Sequence, residues 1–167
     1  MHTHKGIYLI CVNDSGHLLT IEKNGGPYIN RLDLPGGTPE NEESELETVV
    51  REVYEETGYQ VQSANKLGER IYEIPWRYKK WTLSQHTAVY FIGKVDEANQ
   101  LALASIPDQD SKGTLWIDPT KVQEEWCSPL VWEAIQYLKN YPFPMNMKCY
   151  ESWDVLGAPE YLYQNVT

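Results

Sequence analysis

The apolar positions of the chain follow two periods. Runs rich in β-branched and aromatic residues read as strands at residues 7–12, 18–22 and 31–34, then at 61–63, 67–74, 83–94 and 114–117. Asn13-Asp14-Ser15-Gly16 is a turn between the first two runs, and Gly25-Gly26-Pro27 marks a loop before the third. The run at 83–94 is the longest and carries Thr87, Val89, Tyr90, Phe91 and Ile92, all good strand formers. His86 within it is expected to be a packed residue rather than a ligand. Residues 96–113 are polar and read as a loop.

Helical spacing appears twice. Leu46, Val49, Val50, Val53 and Thr57 fall on one stripe at about 100° per residue, which predicts a helix with that face buried. Ser44 and Glu47 form a capping box that starts it near residue 45, and Gly58 is its natural stop. Later, Ser128 and Pro129 provide an N-cap and a first-position proline for a helix whose Leu130, Val131, Ala134, Ile135 and Leu138 recur at helical spacing. There is no internal repeat and no low-complexity linker, so one domain is expected. Residues 141–167 form an aromatic, proline-containing tail without an assignable element.

Composition narrows the class. The chain has 167 residues, 41% of them apolar and 23% charged, as in a globular protein able to build a core. Its aromatic share comes from 12 Tyr and 6 Trp against 2 Phe, which suits half-buried pocket walls. The net charge of −10 repels phosphate backbones and argues against nucleic acid as a partner. A small phosphorylated ligand remains compatible if a metal ion supplies positive charge. Cys11, Cys127 and Cys149 are odd in number and form no CxxC, which reads as reduced thiols and a cytoplasmic location. The run at 7–12 is too short for a signal peptide or a membrane span, so no membrane partner is expected. His2 and His4 are read as an irregular N-terminus.

The charges of the first helix need an explanation. From Glu40 to Glu56 the chain places eight carboxylates against one cation, Arg51. Like charges one turn apart each cost about 0.2–0.5 kcal/mol. Glu52 and Glu56 fall together on the margin of the buried stripe, where carboxylates lose solvent and repel, and Glu55 lies further round. A solvated acidic face is the ordinary reading of such a helix. Clustering at the stripe's edge without interleaved lysines favours a bound cation instead, because hard divalent ions take oxygen ligands. Gly36-Gly37, delivered directly after a strand, permits bare backbone close to a ligand.

From Gly37 to Tyr59 the chain reads G-x5-E-x7-R-E-V-x-E-E-x-G-Y. This closely resembles the box of the Nudix (MutT-like) hydrolase superfamily, G-x5-E-x7-R-E-U-x-E-E-x-G-U, where U is bulky and apolar. Gly37, Glu43, Arg51, Glu52, Glu55, Glu56 and Gly58 are in register, and Tyr59 stands where an aliphatic residue is more usual. The resemblance implies an α/β/α sandwich around a mixed central sheet, with the box as loop–helix–loop. It implies hydrolysis of a nucleoside diphosphate linked to another group, with Mg²⁺ or Mn²⁺ as cofactor. Glu52, Glu55 and Glu56 would then be metal ligands, joined by the Gly36 carbonyl. Glu43 would be a further ligand or a base acting through water. Arg51 would orient a glutamate, with Glu55 and Glu47 each one turn away. The domain would span residues 1–140, with residues 141–167 an aromatic extension packed on it. A homodimer is left open.

Substrate choice is less legible. In Tyr72–Trp81, Trp76, Tyr78 and Trp81 can stack on a base and Arg77, Lys79 and Lys80 can meet phosphate. The same stretch also reads as an exposed hairpin with cross-strand aromatics. Pro75 and Tyr78 each match a spacing of a different Nudix subgroup, ADP-ribose pyrophosphatases and dinucleoside polyphosphate hydrolases respectively. Cys127 falls where members that clear 8-oxo-purines carry a base-reading Asn. Two functions are therefore carried forward. One is a metal-dependent pyrophosphohydrolase of a small nucleotide; the other is a catalytically idle Nudix-fold sensor that binds a nucleotide. Retention of every box glutamate favours the enzyme.

Overall fold

A computed structural model describes residues 1–102 and 111–167. Its strands are β1 (His2–Cys11), β2 (Leu18–Lys23), β3 (Leu32–Asp33), β4 (Gly36–Gly37), β5 (Val61–Tyr78), β6 (Trp81–Val95), β7 (Ser111–Ile117) and β8 (Lys148–Cys149). The helices of the described residues are α1 (Glu45–Thr57) and α2 (Pro129–Leu138), with short 3₁₀ turns at Glu124–Trp126 and Glu160–Tyr163. The central sheet runs β4-β1-β6-β5-β8 and is mixed: β1 is parallel to β6, whereas β5 is antiparallel to β6. A second, antiparallel sheet runs β3-β2-β7.

Alternation along the central strands divides the core. Ile7, Leu9 and Cys11 of β1, with Val89 and Phe91 of β6, pack beneath Val49 and Val53 of α1. Tyr8 and Ile10, with Ala88 and Tyr90, face the other way onto Leu130, Val131, Ala134 and Ile135 of α2. The result is an α/β/α sandwich around a mixed sheet. Both helices are capped as their sequences require: Ser44 Oγ accepts from Glu47 N, Ser128 Oγ accepts from Val131 N, and Gly58 is left-handed at φ 76°.

Several sequence expectations change. β1 begins at His2 rather than residue 7, because His2 and His4 pair with Ser84 and His86 of β6. The N-terminus is therefore strand, not irregular chain. The two predicted runs at 61–63 and 67–74 fuse into the single β5, whose pairing with β6 absorbs the polar interruption in register shifts at Val61/Ser63 and Lys66/Gly68. Pro75 is tolerated because β8 covers β5 only at Tyr72 and Glu73. Gly36-Gly37 is a short strand paired with Ile7 and Tyr8, not a simple turn. The Asn13–Gly16 turn forms, but β1 and β2 go to different sheets.

On α1, Leu46 is 48% exposed and Thr48 is buried, the reverse of the predicted stripe at those positions. Thr48 satisfies its hydroxyl on the Ser44 carbonyl. Residues 103–110 of the expected polar loop lie outside the described residues, and the strand after it begins at Ser111 rather than 114. The tail is partly ordered into β8 and a 3₁₀ turn, and Tyr161 and Val166 join the α2-side core. The three cysteines are free. Among the described residues no helix is long and apolar enough to cross a membrane.

Candidate active site

Helix α1 presents its box residues over Gly36-Gly37. A Cβ on Gly37 would fall 2.5 Å from Glu52 Cδ, so only glycine lets this carboxylate lie against the β4 backbone. Gly36, at φ 153°, runs against the Ile7 carbonyl and Tyr8 and likewise excludes a side chain. Its N–H donates to Glu56 Oε1 at 2.8 Å. The strand–glycine–helix order thus builds one wall of an acidic cleft of about 380 Å³, lined by Glu40, Glu52, Glu55 and Glu56 and by His4, Tyr8 and Lys23.

One guanidinium organises the carboxylates. Arg51 grips Glu43 bidentately, Nε to Oε2 at 2.8 Å and Nη2 to Oε1 at 2.9 Å. It also donates to Glu52 at 2.9 Å, to Glu55 at 3.1 Å and to the Thr38 carbonyl at 3.1 Å. Of the two glutamates one turn away, Arg51 reaches Glu55; Glu47 supplies its backbone N–H to the cap instead. These bonds hold Arg51 firmly protonated and hold the Glu43 carboxyl below the usual range.

Glu52 and Glu56 behave differently. Burial pushes Glu52 up against the opposing pull of Arg51. Burial pushes Glu56 up to about 8, only partly offset by Lys23 and the Gly36 N–H. Glu56 as a residue is half-buried, but its Oε2 is buried and has no hydrogen-bond partner within the protein. An acceptor oxygen shielded from water without a donor is costly unless something cationic meets it. Among the described residues no three His, Cys, Asp or Glu side chains converge as a formed metal cage, since Glu52 and Glu55 are drawn to Arg51. The all-oxygen donor set and the orphaned Glu56 oxygen nevertheless fit a hard divalent cation.

A second, more apolar cavity of about 180 Å³ lies beside the acidic cleft, and the two share His4, Tyr8 and Lys23 in their linings. Trp76, Tyr28 and the Gly25-Gly26-Pro27 loop wall this cavity. His86 lies at its base, its Nε2 bonded to Tyr8 Oη and its Nδ1 to Tyr28 Oη, both at 2.9 Å. Burial lowers His86 well below the ordinary imidazole value, so the ring is neutral and is packed as expected, yet it also faces the cavity.

The aromatic hairpin divides. Trp76 reaches the cavity; Tyr78, 38% exposed, stacks on Trp76 with centroids 4.9 Å apart. Trp81 pairs with Tyr78 across the hairpin and lies under Lys80, and Arg77 is exposed. Of the four proposed substrate contacts, only Trp76 lines the cavity. Sequence reading missed His4, Tyr8, Lys23, Tyr28 and His86. The available signal was alternation: His2, His4 and Tyr8 share one face of β1 once the strand is started at His2.

The NUDIX domain family matches residues 2–139. A Bacillus subtilis (strain 168) protein named Putative 8-oxo-dGTP diphosphatase is 30% identical over 118 residues, covering 71% of this chain and 68% of that protein. Among solved structures, a MutT NUDIX hydrolase from Burkholderia pseudomallei superposes with a TM-score of 0.63 at 18% identity, covering 81% of this chain and 98% of the other. A MutT protein from Methanosarcina mazei Go1 gives 0.58 at 21% identity, covering 83% and 94%. These two show the fold. The family match, the B. subtilis relative and the intact box together establish that the chain belongs to the NUDIX domain family and is a Nudix hydrolase.

Proposed function

We propose that the protein is a divalent-metal-dependent pyrophosphohydrolase of nucleoside triphosphates. The observation that carries this reading is the junction of the two cavities, where a carboxylate-lined cleft meets an aromatic one across His4, Tyr8 and Lys23. A triphosphate chain suits the first, a flat base the second. The diphosphatase name of the B. subtilis relative supports the same class.

In this mechanism Glu52 and Glu56, with Glu55 and the Gly36 carbonyl beside them, would hold Mg²⁺ or Mn²⁺. The bound ion supplies charge for the phosphate oxygens and a water of lowered pKa. Arg51 keeps Glu52 and Glu55 oriented through its fixed fork. Glu43 anchors that fork rather than accepting a proton, since its carboxyl is held below the usual range and a base works best near the operating pH. Lys23, at the junction, meets phosphate charge passing between the cavities. Tyr28 and Trp76 sandwich the base from the side of the loop and the hairpin.

A hydrolysis panel tests the proposal: nucleoside triphosphates including oxidised purines, ADP-ribose, dinucleoside polyphosphates and nucleotide sugars, with products identified by mass. Triphosphates should yield a monophosphate and pyrophosphate, activity should vanish with a chelator, and Mg²⁺ or Mn²⁺ should restore it. Full turnover in metal-free buffer would contradict the mechanism. A chain that binds nucleotide but hydrolyses nothing would be the idle sensor.

Gly37→Ala probes the glycine wall. The added methyl must push the Glu52 carboxylate away, and kcat should fall roughly tenfold, as when a supporting contact of a metal ligand is lost. An unchanged kcat in a folded variant would remove Glu52 from the site.

A further inference from the structure

One wall of the apolar cavity is the glycine-containing loop between β2 and β3. Gly25 and Gly26 have no side chains to pack, and Gly26 and Asn30 are both left-handed, at φ 70° and 64°. Backbone bonds across the loop include Lys23 N to the Arg31 carbonyl, Asn30 N to the Lys23 carbonyl, and the turn bonds of Ile29 N to the Gly26 carbonyl and Arg31 N to the Tyr28 carbonyl. Further ties come from far along the chain.

Three bonds tie this loop to Trp153, Asp154 and Leu156 of the tail. Trp153 Nε1 donates to the Pro27 carbonyl at 2.7 Å. Asn30 Nδ2 donates to the Leu156 carbonyl at 2.6 Å, and Arg31 Nη2 to the Asp154 carbonyl at 2.7 Å. The Trp153 ring also lies 4.2 Å from the Arg31 guanidinium and meets the Tyr28 ring edge-on at 5.7 Å. At its other end the tail is fastened to the central sheet, where β8 pairs with β5 and Tyr150 N donates to the Glu73 carbonyl. The tail is a strap from the sheet to the cavity wall.

We infer that Trp153 is a positioning residue for substrate selection: through Pro27 and Tyr28 it sets the wall against which the base is held. The inference rests on the proposed function for its substrate but not for its structural half. Tyr28 is bonded to His86 Nδ1, so a shift of the loop also disturbs the cavity base. The glutamates of the acidic cleft lie on α1 and on the loop before it, and none takes part in the three bonds of the strap. Loss of the strap should therefore weaken binding of the base and leave the hydrolytic step alone.

The test is Trp153→Phe in the full chain, which keeps an aromatic ring and removes the N–H. Trp132→Phe, a tryptophan on α2 packed against the same core, is the control. For the best triphosphate of the panel, KM should rise about three- to tenfold, the equivalent of one net hydrogen bond, with kcat preserved. Amide hydrogen exchange at Ile29, Asn30 and Arg31 should quicken in Trp153→Phe and stay as in the wild type in Trp132→Phe. Unchanged KM, or an equal rise in the Trp132 control, overturns the inference. If the wild type hydrolyses nothing on the panel, the proposed function falls instead. The exchange arm then decides alone: faster exchange supports the strap, and unchanged protection overturns it.

Discussion

Glu56→Gln is expected to lower kcat by roughly 10²–10³, the cost of removing one preorganised charge-stabilising group. The shape of the side chain is nearly conserved, and Gln Oε1 can still accept from the Gly36 N–H. What disappears is the negative charge on the oxygen that has no partner within the protein. Without bound metal, burial pushes the Glu56 carboxyl up to about 8 and favours its neutral form at neutral pH, so a neutral amide of the same shape should leave the melting temperature in chelator unchanged. Glu52→Gln should lower kcat similarly, while weakening the bond that Glu52 accepts from Arg51. Glu45→Gln is the control, since Glu45 on the same helix is paired with Lys5 and Lys66 away from the cleft. Equal losses for Glu45 and Glu56 would place the chemistry elsewhere.

That the Glu56 assignment could be reached from sequence reflects how local the box is. Ser44, Glu47 and Gly58 cap α1 through contacts within a few residues, and Arg51 binds partners at 43, 52 and 55. Periodicity fails where burial depends on what lies opposite. Leu46 sits on the predicted stripe, yet a side chain's direction does not say that a sheet lies beneath it. Thr48 points the other way and is buried, because Arg51 folds the preceding segment back onto the helix through Glu43 and the Thr38 carbonyl.

The aromatic cavity was invisible for a different reason. His4 and His86 meet, with rings 5.0 Å apart, only because β1 pairs in parallel with β6 across a long stretch of chain. The same distance hides the tail's bonds to residues 27–31. Aromatic content alone drew attention to the hairpin, of which Trp76 lines the cavity while Tyr78 backs it. Composition can identify residues suited to stacking; register decides which of them face a ligand.

Arg51→Ala should have the broadest effect of any single change in the box. Removing the guanidinium leaves Glu43, Glu52 and Glu55 as neighbouring carboxylates without the cation that holds them together. Arg51 and its partners are partly solvated, so the loss is that of a screened charge network rather than of a buried pair, and the melting temperature should fall by a few degrees. Catalysis should fall as well, because Glu52 and Glu55 lose their common tether. Arg51→Lys should recover part of the stability and little of kcat, since a point charge cannot grip Glu43 with two bonds while reaching the other two carboxylates. Adding Glu43→Gln to Arg51→Ala separates the two roles. If Glu43 only anchors the fork, the double variant should be no less active than Arg51→Ala and more stable, the unpaired charge having been removed. If the second change lowers kcat by a further large factor, Glu43 acts on the reaction itself, and its place as an anchor is wrong.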